Sequence, residues 1–419
     1  MALGLAALVP MADSALQSSA GDLAVSPSHS LRFERGDLVY VFGLFLAAKA
    51  LLVVIALVAP LLFPTGAFFP GRATDIGLES YATRWDSNWY VLIARDGYRV
   101  AADGSGSVAF FPLFPMLMRG LMALGASPAV SGLIVANVSF LAALAVFFRL
   151  LQVEFGRREL AQHATALLAF SPGLAWFSVG YTESLFLLLT VALMLALRQR
   201  RWWWALGVGA LAGLARPNAI VLLVPSLVLL MPELLAAWRG RRWRRGAVML
   251  ICAAAPLLGH ALYLVYLQCA FGNWQANHVA EAQGWDARIV ISWAMFLQKV
   301  PTVGVHLFDN PEIFREHVAW SWWWTMFLSV FSLIALWEAR APRWLSVFLV
   351  CFMCLYGAVL QLQGPAYSIA RFMATMVPAY VAVALFAEKR PWAQPASLAI
   401  SATAATITAL MLFGGYHIN

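Results

Sequence analysis

Eleven stretches of the chain carry nearly unbroken runs of apolar residues: about 37–63, 128–152, 160–178, 181–198, 203–215, 217–236, 246–270, 318–337, 344–362, 369–387 and 396–414. The first contains "VYVFGLFLAAKALLVVIALVAPLLF" (39–63), longer than the roughly 20 residues that cross a bilayer as a helix. The run at 203–215 is short for a full crossing. Two long polar stretches, 64–127 and 271–317, interrupt the pattern. Within the former, "FFPLFPMLMRGLMALG" (110–125) carries Arg119 and two prolines. It is expected to lie along the membrane surface as an amphipathic helix rather than to cross. Residues 1–30 are Ala/Ser-rich and lack a basic leader, so they are expected to form a disordered tail and not a cleaved signal peptide.

Composition turns that pattern into a fold class. Apolar residues make up 62% of the 419 and charged ones 11%, and mean hydropathy is +0.77. Soluble domains sit nearer half apolar and a quarter charged. The expectation is an all-α polytopic membrane protein of about 11 transmembrane helices, with residues 31–419 forming one domain. The 18 Trp and 11 Tyr suit a chain with many interfacial anchors.

Charge then assigns sides. Basic clusters separate the apolar runs: Arg32/Arg35, Arg157/Arg158, "RQRR" (198–201), "RGRRWRR" (239–245), Arg340/Arg343 and "EKR" (388–390). Lys and Arg favour the cytoplasm, and a cytoplasmic N-terminus with eleven crossings puts all of them there. The inner side then holds 18 Lys/Arg and 9 Asp/Glu, the outer side 10 and 11. The net charge of +8 thus reflects orientation in the cell (plasma) membrane and not affinity for nucleic acid. Under this assignment 64–127, "SVGYTES" (178–184), "LARPN" (214–218), 271–317 and "GPAYSIAR" (364–371) share the outer face. Polar segments so distant in sequence, converging on one face of a membrane protein, suggest a single site.

Each candidate residue admits a functional and a structural reading. In "RWDSNWY" (84–90) Asp86 is either a general base beside the membrane or the cap of a short helix. Arg84 is the neighbour expected to hold its charge, and Trp85, Trp89 and Tyr90 are the aromatic anchors around it. Asp96 belongs to a turn closed by Gly97. "FFPLFP" (110–115) either lines a lipid groove or starts and bends the interfacial helix. Glu183, after Tyr181 and with Thr182 as cap, lies at the mouth of an apolar helix, as a functional carboxylate or a dipole-favoured first residue. Arg216 and Arg371 lie at membrane depth, where they either bind phosphate in a bidentate fork, snorkel, or pair with Glu183 or Asp86. Asn218 follows Arg216 and faces the same side. His278, Glu281 and Asp286 do not have the spacing of metal ligands; His278 or Gln283 is expected to meet substrate hydroxyls. Cys351 and Cys354 form a CxxC inside an apolar run and are read as helix core. "LGVGALAG" (206–213) is read as small residues for close helix packing and not as a nucleotide loop.

"RWDSNWYVLIARDGY", "FFPLFP", "YTESLFLLL" and "LARPN" resemble, in order and approximate spacing, the PIG-V-type mannosyltransferases, the family of GPI mannosyltransferase II and its bacterial relatives. The resemblance runs from about residue 30 to 415. It implies a GT-C fold with an extracytoplasmic active site and an inverting reaction. The donor it implies is a polyprenyl-phosphate sugar, typically mannose. The family's acidic base maps onto Asp86 and its arginines onto Arg216 and Arg371. The late Arg-aromatic element reads Arg371-Phe372, where the family pattern has Tyr. A lipid-borne donor needs no soluble nucleotide-binding domain, and no metal or other cofactor is expected.

The reading is therefore a hexosyltransferase: Asp86 activates an acceptor hydroxyl, Arg216 and Arg371 hold donor phosphate, and Glu183 orients an arginine or the sugar. Arg84, Trp85, Trp89, Tyr90, Tyr181, Asn218 and His278 are the expected substrate contacts. The acceptor is a lipid, a glycan or a protein. A flippase of polyprenyl-linked sugars would share the arginines, but no inverted repeat is visible. A non-catalytic subunit of a glycosyltransferase complex would tolerate loss of Asp86.

Overall fold

The computed structural model describes residues 34–62, 86–285, 288–289, 318–355, 360–361 and 369–413. Arg84, Trp85 and Asp286 lie outside the described residues.

The first helix, α1 (Arg35–Leu62), buries one stripe: Asp37, Val41, Ala48, Leu52, Ile55 and Ala59. That spacing of three, four and seven is one face of a 3.6-residue period, while Val39, Leu46, Val53 and Leu57 are exposed. Two short helices follow, α2 (Asp86–Asp96) and α3 (Leu113–Ala123). Arg95 and Arg99 reach Asp96 beside Gly97, whose φ is 83°, the turn expected there. Helix α3 starts after Pro112, buries Phe114, Pro115 and Met118, and is too short at 11 residues to cross a bilayer.

The centre of the bundle is α4 (Pro128–Phe155), half buried along its apolar window. Ser127 caps it by accepting from Val130 N. Helices α5 (Arg158–Ala169), α6 (Glu183–Arg198), α7 (Trp202–Ala215) and α8 (Leu223–Arg239) follow, the last entered through a 3-10 turn at Pro217–Leu222. Then come α9 (Trp243–Ala253) and α10 (Ala255–Phe271), bent by 56° at their junction. Pro256, which donates no hydrogen bond back along the chain, sits in that bend. Helix α11 (Ala276–Trp285) leads to β1 (Arg288–Ile289). The remainder is α12 (Val318–Glu338), α13 (Arg343–Cys354), β2 (Leu360–Gln361), α14 (Ile369–Met373), α15 (Val377–Glu388) and α16 (Ala393–Phe413). Strands β1 and β2 pair antiparallel, Arg288 opposite Gln361.

The protein is thus nearly all helical. Among the described residues, Arg35–Leu62, Pro128–Phe155, Pro217–Arg239 and Ala393–Phe413 are long and apolar enough to cross a membrane, and the bent α9–α10 pair makes a fifth. Besides the bent run at 246–270, two runs expected as single crossings are broken. The run at 160–178 leaves helix at Ala169, because Ser171 precedes Pro172 and adopts an extended conformation (φ −72°, ψ 160°). The run at 369–387 breaks between Met373 and Val377, ahead of Pro378. The breaks face each other: a Cβ on Gly173 would lie 2.4 Å from that of Ala374. Irregular backbone at such depth is tolerated only where protein surrounds it, and residues 173–187 are buried throughout.

Ion pairs gather the basic clusters at one end. Arg158 reaches Asp37 (2.7 Å), Arg198 reaches Glu154 (2.9 Å), Arg200 and Arg245 share Glu233, and Arg157 meets Glu388. The expectation that these clusters share a side agrees with this arrangement.

The small residues at 206–213 pack as read. A Cβ on Gly213 would fall 2.0 Å from Pro256 O, and one on Gly259 1.8 Å from Ala210 O. Helices α7 and α10 therefore touch backbone to backbone.

Candidate active site

Asp86 is the first residue of α2 and Glu183 the first of α6. Each carboxylate thus sits at a helix N-terminus, where unpaired N–H groups and the aligned peptide dipoles favour an anion. Arg216 is the residue after α7; preceding Pro217, it is extended (φ −155°, ψ 147°), which turns its side chain out of the helix. Arg371 comes from the short α14, next to the second helix break.

The four side chains meet. Arg371 Nη1 donates to Asp86 Oδ2 at 2.6 Å, and its Nε lies 3.1 Å from Glu183 Oε1. Arg216 Nη1 donates to the same Glu183 oxygen at 2.6 Å and to Thr182 Oγ1 at 3.2 Å. Glu183 is 1% exposed and Arg371 8%, whereas the Asp86 side chain keeps 25% of its surface. Of the two acids, only Asp86 is open to an incoming molecule. Glu183 Oε2 is buried with no hydrogen-bond partner among the described residues. Two carboxylates and two guanidiniums leave the cluster with no net charge.

Aromatic side chains wall it in. Arg371 lies over the Tyr181 ring at 5.3 Å, and both arginines lie 4.9 Å from the Phe372 ring. Cations over aromatic faces are stabilised by the ring quadrupole, so the phenyl ring of Phe372 fulfils this role without a hydroxyl. Trp89 stacks on Phe110 at 5.7 Å, and Tyr90 meets Phe110 edge-on at 5.3 Å and Phe114 at 5.1 Å. The Tyr90 hydroxyl is 3.4 Å from Thr182 Oγ1. Asn218 is buried on the turn after Arg216.

Asp86, Glu183, Arg216, Arg371, Tyr181 and Tyr90 are therefore brought together, with Trp89 one aromatic layer behind. Two details differ from expectation, at Thr182 and at His278. Thr182 does not cap α6: it is itself helical in φ/ψ (−80°, −9°) and makes no cap bond. Its hydroxyl is committed to Tyr90 and Arg216. The pairing of the arginines with Asp86 and Glu183 is among the expected readings: Asp86 is met by Arg371, from 285 residues away. His278 lies on α11 beside Glu281 and within electrostatic reach of His260, a separate group beyond Phe110.

Lys49 joins this region from α1, and the sequence signal for it is a lone ionisable residue inside an apolar run. Its ammonium bonds Ser178 Oγ and lies over the rings of Phe45 (5.1 Å) and Phe140 (4.9 Å). Asn137 fixes this stretch by donating to Ser178 O at 2.9 Å. Gln152 meets Asp37 at 3.0 Å, so α1 and α4 run antiparallel with Lys49 level with Phe140. Glu183 lies as far above Arg198 as position 139 lies above Glu154, Arg198's partner. Lys49 and Glu183 thus share one layer, roughly 20 Å along the helices from the basic end. Among the described residues no three His, Cys, Asp or Glu side chains are grouped as metal ligands would be.

The sequence matches known proteins over these same elements. A profile of the family Mannosyltransferase (PIG-V) matches residues 53–301, more than half of the chain. GPI alpha-1,6-mannosyltransferase 2 of Homo sapiens is 31% identical over 180 residues, which is 39% of this chain and 34% of the human protein. Its counterpart in Cricetulus griseus is 30% identical over 155 residues, 35% of this chain and 31% of that protein. The chain spans about a third of the length of the curated relatives it matches. The profile match includes Asp86, Glu183 and Arg216, and the chain belongs to the Mannosyltransferase (PIG-V) family.

Proposed function

We propose that this protein is an inverting mannosyltransferase with a GT-C fold of about eleven crossings. It moves mannose from a polyprenyl-phosphate donor to an acceptor hydroxyl at the extracytoplasmic face of the plasma membrane. The observation that carries this reading is the half-open Asp86 carboxylate 2.6 Å from Arg371, in one cluster with Arg216 and Glu183. The basic clusters lie at the opposite end of the helices, which supports an outward-facing site.

In the transfer, Asp86 accepts the proton of the acceptor hydroxyl as its oxygen bonds to the anomeric carbon. The bond from that carbon to the phosphate oxygen breaks, and the lipid phosphate leaves with the electron pair. Charge grows on the leaving phosphate, where Arg371 and Arg216 stabilise it; this positive charge comes from the chain, without a metal. Inversion converts a β-linked donor into an α-linked product, in keeping with the α linkage named in the relatives. At rest Arg371 is bonded to Asp86. An arriving phosphate gives that guanidinium, already paired with Glu183, an alternative to Asp86, and the base is freed when the donor is in place.

The test uses purified protein in nanodiscs with polyprenyl-phosphate mannose. Asp86→Asn is expected to remain folded and to lose about 10²–10⁴-fold in release of polyprenyl phosphate. Near-normal release by that variant would overturn the assignment of the base. Movement of the intact donor across the membrane without release would identify a transporter instead.

A further inference from the structure

The wall beside the active site has a second side. Phe110 is extended (φ −96°, ψ 134°), so the side chains of Phe110 and Phe111 point in opposite directions. Phe110 faces Trp89 and Tyr90. Phe111 faces His260 at 5.2 Å and Tyr263 at 4.7 Å. Tyr263 holds this stretch in place by donating to Val108 O at 2.7 Å.

On the Phe111 side lie polar atoms that have no hydrogen-bond partner among the described residues. Asn277, on α11, is 0% exposed, yet neither its Oδ1 nor its Nδ2 has a partner among the described residues. Its helix neighbours Ala276 and Ala280 pack with Val108, Phe111 and Tyr263. Among the described residues His260 Nδ1 and His278 Nδ1 likewise have no hydrogen-bond partner; the His278 side chain is 37% exposed, and Glu281 is 3.8 Å from its Nδ1, too long for a hydrogen bond. His260 lies level with Gly213, one turn before Arg216, because a Cβ on Gly213 would meet its backbone N at 2.7 Å.

Native interiors rarely strand even one such group. A carboxamide carrying both a donor and an acceptor, two imidazoles and an aromatic face are the parts that bind a sugar ring: adjacent hydroxyls to the polar atoms, C–H face to the ring. We infer that Asn277, His260 and His278, against Phe111, form a subsite for a sugar ring of the acceptor, one aromatic layer from Asp86. This rests on the mannosyltransferase reading. The transferred mannose itself must reach Asp86, so the polar group across the wall serves the molecule that receives it.

Asn277→Leu tests it, because the near-isosteric side chain removes two stranded polar atoms. With polyprenyl-phosphate mannose as donor and methyl α-D-mannoside as acceptor, the variant is expected to raise the acceptor KM at least tenfold. The donor KM and the slow hydrolysis of donor without acceptor stay within twofold, and the Tm equals or exceeds that of the wild type. A lower Tm with unchanged acceptor KM would make Asn277 structural and overturn the subsite. So would a rise confined to the donor KM. If the wild type neither transfers nor hydrolyses donor, the mannosyltransferase reading has failed. Binding of methyl α-D-mannoside and methyl α-D-glucoside, followed by tryptophan fluorescence, then decides the subsite separately. It stands if the wild type binds either glycoside and Asn277→Leu weakens it tenfold, and falls if wild type and variant bind alike or neither binds.

Discussion

Glu183 Oε1 receives both guanidiniums, at 2.6 and 3.1 Å, and this makes it the side chain on which the site's geometry depends. Removing one member of a buried ion pair leaves its partner's charge uncompensated, typically destabilising by about 3–5 kcal/mol. Glu183→Gln is therefore expected to destabilise the protein by that order, read as a lowered Tm in detergent, and to lower activity with it. Lys49→Met is expected to do the opposite to the fold. No carboxylate faces the ammonium among the described residues, so its removal strands nothing and the Tm does not fall. Asp86, Glu183, Arg216 and Arg371 are legible in the sequence because charges are rare in this chain and costly at depth. Which of them touch is not legible, since Arg371 and Asp86 are 285 positions apart. Asn277 and His260 escape notice for a related reason: one carries no charge, and the other sits inside the apolar run 246–270.

The elements follow the apolar runs closely, since a membrane helix needs little beyond length and hydropathy. Breaks within them follow other chemistry. "SPG" at 171–173 and Pro378 carry stop signals inside runs that hydropathy alone reads as continuous. Those breaks deliver Tyr181, Thr182 and Glu183 on one side and Arg371 and Phe372 on the other. Close packing of α7 on α10 serves the same end, since it places His260 beside the helix that ends at Arg216. Gly259→Ala would drive a methyl group to 1.8 Å from Ala210 O, and neither backbone can yield as a side chain would. Overpacking of this kind destabilises by typically 1–3 kcal/mol. A Tm drop and poor recovery of folded protein are expected for Gly259→Ala, but not for Gly207→Ala, where a Cβ meets nothing within 4 Å.

Across the whole molecule, the basic end and the active-site layer are fixed to each other by continuous helix. Helix α6 carries Glu183 at one end and Arg198, paired with Glu154, at the other. Glu154 also accepts from Trp344 Nε1 at 3.1 Å, which ties α13 into the same joint. Glu154→Gln is expected to lower the Tm while leaving the acceptor KM of the surviving folded protein unchanged, because the residues of the site are untouched.

The zero net charge of the Asp86–Glu183–Arg216–Arg371 cluster has a consequence for how this protein can change. A substitution at Glu183, Arg216 or Arg371 leaves a lone ion in a nearly dry interior, whereas loss of Glu183 with one arginine restores the balance; Asp86, a quarter exposed, is the member that can change alone. In a library that varies the four codons independently, folded survivors that have lost Glu183 should have lost an arginine with it, whereas survivors that have lost Asp86 alone should be common.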